Sequence, residues 1–154
     1  MKLHGPDRFA LTFNARQFQV LAPGGGSKFR GRASNREAKL YVFSFEGAPI
    51  YVGVTKQPMR ARLRLGWNAR GESGYHGYAF RRTLKNADLD VWYFEGRHNV
   101  DPLLDVETIE AEIVFLIRSL GQWPRFQTEI HFHASEPLHR ELAGNVLHHY
   151  KVER

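Results

Sequence analysis

The sequence predicts a small α/β domain built on a mainly antiparallel sheet with flanking helices. Three observations carry that expectation. Residues 40–45 and 50–54 are two runs of strand formers on either side of Glu46-Gly47-Ala48-Pro49, the pattern of a β-hairpin. Residues 89–94 alternate in polarity and make a third strand. Val106, Ile109, Ile113, Leu116, Ile117 and Leu120 then recur at helical spacing and form one apolar stripe. A chain of 154 residues fits a single core without disulfides or metal staples.

Residues 1–36 are set apart as an N-terminal extension. They contain the flexible breaker Pro23-Gly24-Gly25-Gly26-Ser27, followed by Lys28, Arg30, Arg32 and Arg36. Phe9, Leu11 and Phe13, and then Phe18 and Val20, suit short strands or a small helix packed on the remainder. Residues 37–154 form the main domain. If the hairpin loop is the three residues Glu46 to Ala48, Tyr41 and Tyr51 share a face of the sheet, whereas a two-residue loop separates them. Gln57-Pro58 opens a helix through Met59 and Leu63 that Gly66 is expected to stop. A second helix is expected over residues 76–85. Asp105 is the expected cap of the long helix, which Gly121 and Pro124 end. Residues 128–132 suit a last short strand, and Ser135-Glu136-Pro137 starts a terminal helix to about His149.

Composition narrows the chemistry. Lys and Arg number 22 against 16 acids, a net charge of +6, which favours polyanionic partners. Arg60, Arg62, Arg64, Arg70, Arg81 and Arg82 crowd the middle of the chain, interleaved with Trp67, Tyr75, Tyr78 and Phe80. Arginines and aromatics together suit phosphate and base contacts. With no cysteine, disulfides, thiolate metal sites and thiol nucleophiles are excluded. The first residues lack the apolar core of a secretory signal, and no apolar run is long enough to span a bilayer, so a cytoplasmic location is expected.

Tyr51-Val52-Gly53 and the following Arg62-Leu63 resemble the second motif strand and helix of the GIY-YIG endonuclease family. Leu40-Tyr41 resembles the end of the first motif, with Lys39 where the family usually has glycine. Gly74-Tyr75-His76 is similar to the segment that places a histidine or tyrosine near the scissile phosphate. Glu112, with Phe115 and Leu116 after it, resembles the metal-binding glutamate and its downstream pair. Pro124-Arg125-Phe126-Gln127 resembles a stretch that ends in asparagine in the family. The resemblance covers roughly residues 39–130.

The resemblance implies a metal-dependent endonuclease that hydrolyses phosphodiester bonds, with DNA as substrate and RNA as the alternative. Glu112 would hold one Mg²⁺ or Mn²⁺ ion. Arg62 would neutralise the phosphate, Tyr41 would take the proton from water, Tyr51 would position that water, and His76 would act as an acid–base group or phosphate contact. Glu110 and Glu112 flank the apolar stripe on opposite sides, so spacing does not choose between them; the residues that follow favour Glu112. Glu129, His131 and His133 share a face if the segment is extended, as in a metal site, although an alternating polar edge strand is the simpler account of them. Two other functions fit the same sequence: a catalytically weak nucleic-acid-binding module, and a protein-interaction domain whose tyrosines are core. No separate recognition domain is evident, which suggests a homodimer or a partner protein.

Overall fold

The structure, a computed structural model, describes residues 1–152. Among these residues the strands are β1 (Lys2–Phe13), β2 (Phe18–Leu21), β3 (Lys39–Phe45), β4 (Ala48–Thr55) and β5 (Asn86–Glu95). The helices are α1 (Met59–Asn68), α2 (Pro102–Ser119) and α3 (Pro137–Leu147), and none is long and apolar enough to cross a membrane. The strands form one antiparallel sheet in the order β2-β1-β5-β3-β4, so the molecule is the mixed α/β domain that the sequence predicts.

The segment set apart as an extension supplies two strands of this sheet. β1 pairs along β5 with a register shift between His4 and Asp7, where Pro6 has no N–H to give to the ladder. Phe9 and Leu11 point into one core with Tyr41, Phe43, Leu63 and Phe80. The Gly-rich segment after β2 leads into a short 3₁₀ turn, Gly31–Ser34, which Phe29 and Ala33 anchor to that core. On the opposite face Leu40, Val42, Val52 and Trp92 pack under α2 and α3. Asp90, fully buried, accepts from Arg8 Nε (2.7 Å) and Nη2 (2.8 Å) and from the Tyr150 hydroxyl (2.7 Å).

The hairpin turn is two residues, Glu46 and Gly47, both at positive φ, rather than the three expected. Tyr41 and Tyr51 nevertheless share a face. The register shifts between Phe43, which pairs Tyr51, and Ser44, which pairs Pro49, leaving Ile50 as a bulge. Without that extra residue Tyr51 would turn to the other side of the sheet.

Four other expectations are corrected. α1 runs through Gly66 to Asn68; the glycine is buried inside the helix because the Tyr78 ring lies against it. Residues 76–85 form a 3₁₀ turn, Ala79–Arg82, instead of an α-helix. Gly77 sits at φ +72°, and the buried Arg81 guanidinium donates to the carbonyls of His76 (2.9 Å), Tyr78 (2.7 Å) and Ala69 (3.1 Å), so a side chain satisfies the loop. The cap of α2 is Asp101, which accepts from Leu103 N at 2.9 Å; Asp105 lies one turn inside and is buried against His139, His98 N and Asn99. Residues 128–132 form no strand. There the Gln127 side-chain amide substitutes for a ladder, accepting from Val52 N (2.8 Å) and donating to Val52 O (2.9 Å) on the free edge of β4.

The Arg8–Asp90 contact sets a stability prediction. Arg8→Ala strands a buried carboxylate that keeps only the Tyr150 hydroxyl, and should cost about 3 kcal/mol in urea unfolding. A midpoint equal to the parent's would show that Tyr150 alone satisfies Asp90.

Candidate functional site

A cleft of about 450 Å³ lies over the free edge of β4, where the two faces of the sheet meet. Tyr41, Tyr51, Gly53 and Arg62 line it from one face, and Glu107 and Glu110 of α2 reach it from the other. Tyr75 and His76 close one end, and Thr128, Glu129 and His131 form the outer bank.

The aromatic wall is built by close approach. Tyr41 pairs Gly53 across the hairpin and lays its ring over it: a Cβ on Gly53 would stand 2.5 Å from both Cζ and Oη. Tyr78 occupies the equivalent gap over Gly66 of α1, where a Cβ would come within 2.1 Å of its ring. The two hydroxyls meet at 3.0 Å. Tyr51 stacks on Tyr41 with centroids 6.1 Å apart and meets the Tyr78 ring edge-on at 5.3 Å.

Arg62 sits among these rings. Its guanidinium carbon is 5.2 Å from the Tyr78 centroid, 5.5 Å from Tyr75 and 5.9 Å from Tyr41, and Nη1 donates to the Tyr75 hydroxyl at 2.8 Å. Burial works against its charge, but arginine ordinarily titrates far above neutral pH, and the Tyr75 hydroxyl and the ring faces around it favour the protonated guanidinium. Burial pushes the pKa of Tyr41, Tyr51 and Tyr78 upward, and the nearby Arg62 only partly counters it. All three are therefore neutral phenols at pH 7. Tyr41 is fully buried by its own surface yet borders the cleft, so its hydroxyl stands just behind the wall.

Glu110 and Glu112 separate clearly. Glu110 lies in the cleft, where burial and then the neighbouring Glu107 push its carboxyl up to about 8, against the pull of Arg62. Among the described residues no side chain hydrogen-bonds to it. Glu112, the residue expected to hold the ion, points instead toward α3. Its Oε2 accepts from Arg140 Nε at 2.9 Å. Burial opposes its charge, but Arg140 and Ser135 hold the carboxyl below its usual value. Glu112 is thus already paired, outside the group formed by Tyr41, Tyr51, Arg62 and His76. His76 is exposed on the rim, and its ring carries no hydrogen bond among the described residues.

The departures from the resembled motifs have structural explanations. Lys39 is fully buried, and its Nζ donates to the carbonyls of Asn35 (2.9 Å), Glu37 (2.8 Å) and Gln57 (3.0 Å). Burial lowers its pKa to about 8. It ties the chain before β3 to the turn before α1. Gln127 pins the outer bank to β4. Glu129 and His131 border the cleft, whereas His133 turns to Glu107 at 2.7 Å, so the three do not converge. Tyr78 and Glu107 are residues of the site that the sequence did not point to, whereas Glu110 was its open alternative to Glu112. The signal for Tyr78 was Gly66, a glycine inside an amphipathic helix, which marks a close approach.

A single hard cation fits this donor set. Glu110 is a largely buried carboxyl without a salt-bridge partner, next to a second carboxylate one helical turn away, and Mg²⁺ needs few protein oxygens beyond its waters. Among the described residues no three His, Asp or Glu side chains form a ready cage, so water would complete the shell.

Two predictions follow from the geometry. Gly53→Ala should displace the Tyr41 ring while the sheet persists, at a cost of about 1–3 kcal/mol; an unshifted Tyr41 phenol resonance would contradict the close approach. The second concerns pH in the presence of chelator. Glu110 binds its proton more tightly folded than unfolded, so its contribution to stability is present at low pH. That contribution is lost as pH rises from about 4.5 to about 8. Glu110→Gln should therefore gain Tm relative to the parent across that window; parallel Tm profiles would contradict it.

No protein-family model matches the chain, and neither does a curated protein or a solved structure.

Proposed function

We propose that the protein is a metal-dependent endonuclease that hydrolyses phosphodiester bonds in DNA, with Glu110 rather than Glu112 as its metal ligand. The observation that carries this reading is the meeting, in one cleft, of a charged arginine, a cluster of phenols and a carboxyl that has no hydrogen-bond partner among the described residues. The motif resemblance of residues 39–130 to GIY-YIG endonucleases supports the same chemistry.

Arg62 holds the phosphate. Its planar fork, fixed by Tyr75, presents donors to two oxygens and stabilises the charge that builds as water adds to phosphorus. Tyr41, kept in place by Tyr78, orients that water through its hydroxyl. A neutral phenol accepts no proton; Tyr41 would take the water's proton only as phenolate, a form that positive charge beside it favours. A bound Mg²⁺ or Mn²⁺ would supply such charge and offset the charge on the leaving oxygen. His76 on the rim and His131 on the outer bank are the groups placed to return a proton to that oxygen.

The glutamates give the sharpest test. Purified protein should cut DNA with Mg²⁺ or Mn²⁺ and stop in chelator. Glu110→Gln and Arg62→Ala should each lose roughly 100-fold or more in turnover, as expected when a group acts chiefly on the transition state. Tyr41→Phe should lose turnover with DNA affinity nearly unchanged. Glu112→Gln should keep turnover within a few-fold and lose thermal stability through Arg140. Loss of activity in Glu112→Gln with full activity in Glu110→Gln would reverse the assignment. A parent that binds DNA but never cuts it under several metals would leave a binding module.

A further inference from the structure

The exposed half of α1 carries cations on both of its flanks. Alternate helical positions lie about 200° apart, so Arg62 projects to one side and Arg60 and Arg64 to the other. Arg62 lines the cleft. Arg60 and Arg64 line a second groove of about 500 Å³, shared with Lys28 of the Gly-rich segment. Among the described residues no acidic side chain lines that groove.

One of its charges, that of Arg60, is held in place. Arg60 Nη2 donates to Ser27 O at 2.7 Å, and its guanidinium lies over Phe29 and Phe18 at 5.6 and 5.8 Å. Phe29 in turn packs on Phe9, with centroids 4.6 Å apart. The basic segment is thus docked on the core, and three like charges sit together without a carboxylate among them. Such a cluster costs repulsion that an anionic partner relieves.

The two flanks are connected. A shallow depression crosses the exposed surface of α1 between them, bounded by Tyr75 at the cleft end and by Arg64 at the groove end. Ala61, Leu65 and Asn68 lie along it, and Leu65 is 52% exposed. Glu72 is the acid on this path, and its carboxylate is occupied by Arg70 N at 2.8 Å. A small anion fits one end of such a track; only an extended polyanion occupies both.

We infer that α1 seats in the major groove of duplex DNA, with Arg62 facing a phosphate of one strand and Lys28, Arg60 and Arg64 facing the backbone of the other. The dimensions agree: a helix with side chains is about 10–12 Å across, and the groove is about 12 Å wide. Leu65 and Asn68 then face base edges, an apolar group and an amide of the kind that contact a thymine methyl or an adenine. That Arg62 faces the strand being cut rests on the nuclease reading; the seating of α1 does not.

Lys28→Glu combined with Arg64→Glu tests this, since both side chains are exposed and the fold should survive. Binding of a short labelled duplex is measured across a salt series in chelator, beside the matching single strand. The control is Arg118→Glu, on α2 across the sheet. The parent should bind duplex better than single strand. The double variant should raise the Kd tenfold or more and flatten the log–log salt slope by about 2, as two phosphate contacts are lost. Arg64→Ala alone should flatten it by about 1. Arg118→Glu should match the parent. A parent that fails to bind duplex, equal affinity for single strand, an unchanged slope in the double variant, or an equal loss in Arg118→Glu would each overturn the inference. A cleavage assay on the same proteins keeps the two readings apart. Binding lost by the double variant from a parent that never cuts removes the nuclease and leaves the seating of α1. Cutting by the parent with binding unchanged in the double variant does the reverse.

Discussion

The bulge at Ile50 is the constraint on which the candidate site depends. The hairpin turn Glu46-Gly47 by itself sets a register that sends Tyr51 to the opposite face from Tyr41. One unpaired residue restores the parity, brings the two rings into a stack and leaves Gly53 directly under Tyr41. The bulge is itself held from outside, since Ile50 O accepts from Phe126 N at 2.9 Å. The segment that caps the edge of β4 therefore also fixes the register that makes the cleft.

Around that hairpin the molecule concentrates aromatic surface and then places one cation in it. Tyr41, Tyr51, Tyr75 and Tyr78 exclude water from Arg62 without neutralising it, because phenols at neutral pH offer dipoles and π-faces rather than charge. Across the cleft Glu110 faces the complementary problem, a carboxyl whose ionisation is opposed by burial and by Glu107. Left alone, it keeps a proton at neutral pH; in the proposed function a divalent ion and a phosphate between the walls would match both charges. The raised proton affinity of Glu110 and the polarised wall opposite it are two consequences of the same low-dielectric setting.

Much of the scaffold was legible in the sequence because periodicity reports burial directly. β5 and the apolar stripe of α2 follow from it, while the hairpin and the start of α3 at Pro137 follow from turn and cap residues beside them. The misreadings share a cause, which is that long-range contacts override local signals. Gly66 looks like a stop until Tyr78 packs on it. Residues 76–85 look helical until Arg81 takes their carbonyls. Asp105 looks like a cap, but His139, from α3, draws it inward. Tyr41, Tyr51, Arg62 and His76 were named from the resemblance to the family's motifs, and all four line the cleft. The choice between Glu110 and Glu112 could not be made, since it depends on which side of α2 faces Arg140 and which faces the edge of β4.

The central claim is that the cleft over β4, and not the Glu112–Arg140 pair, is where a divalent ion meets this chain. Titrating Mn²⁺ into isotopically labelled protein and following paramagnetic broadening of backbone amides tests it without recourse to activity. The account predicts that the amides of Glu110, Gly53 and Tyr75 broaden first and that Glu110→Gln abolishes the effect. Broadening centred on Ser135 and Arg140, retained in Glu110→Gln and lost in Glu112→Gln, would contradict it.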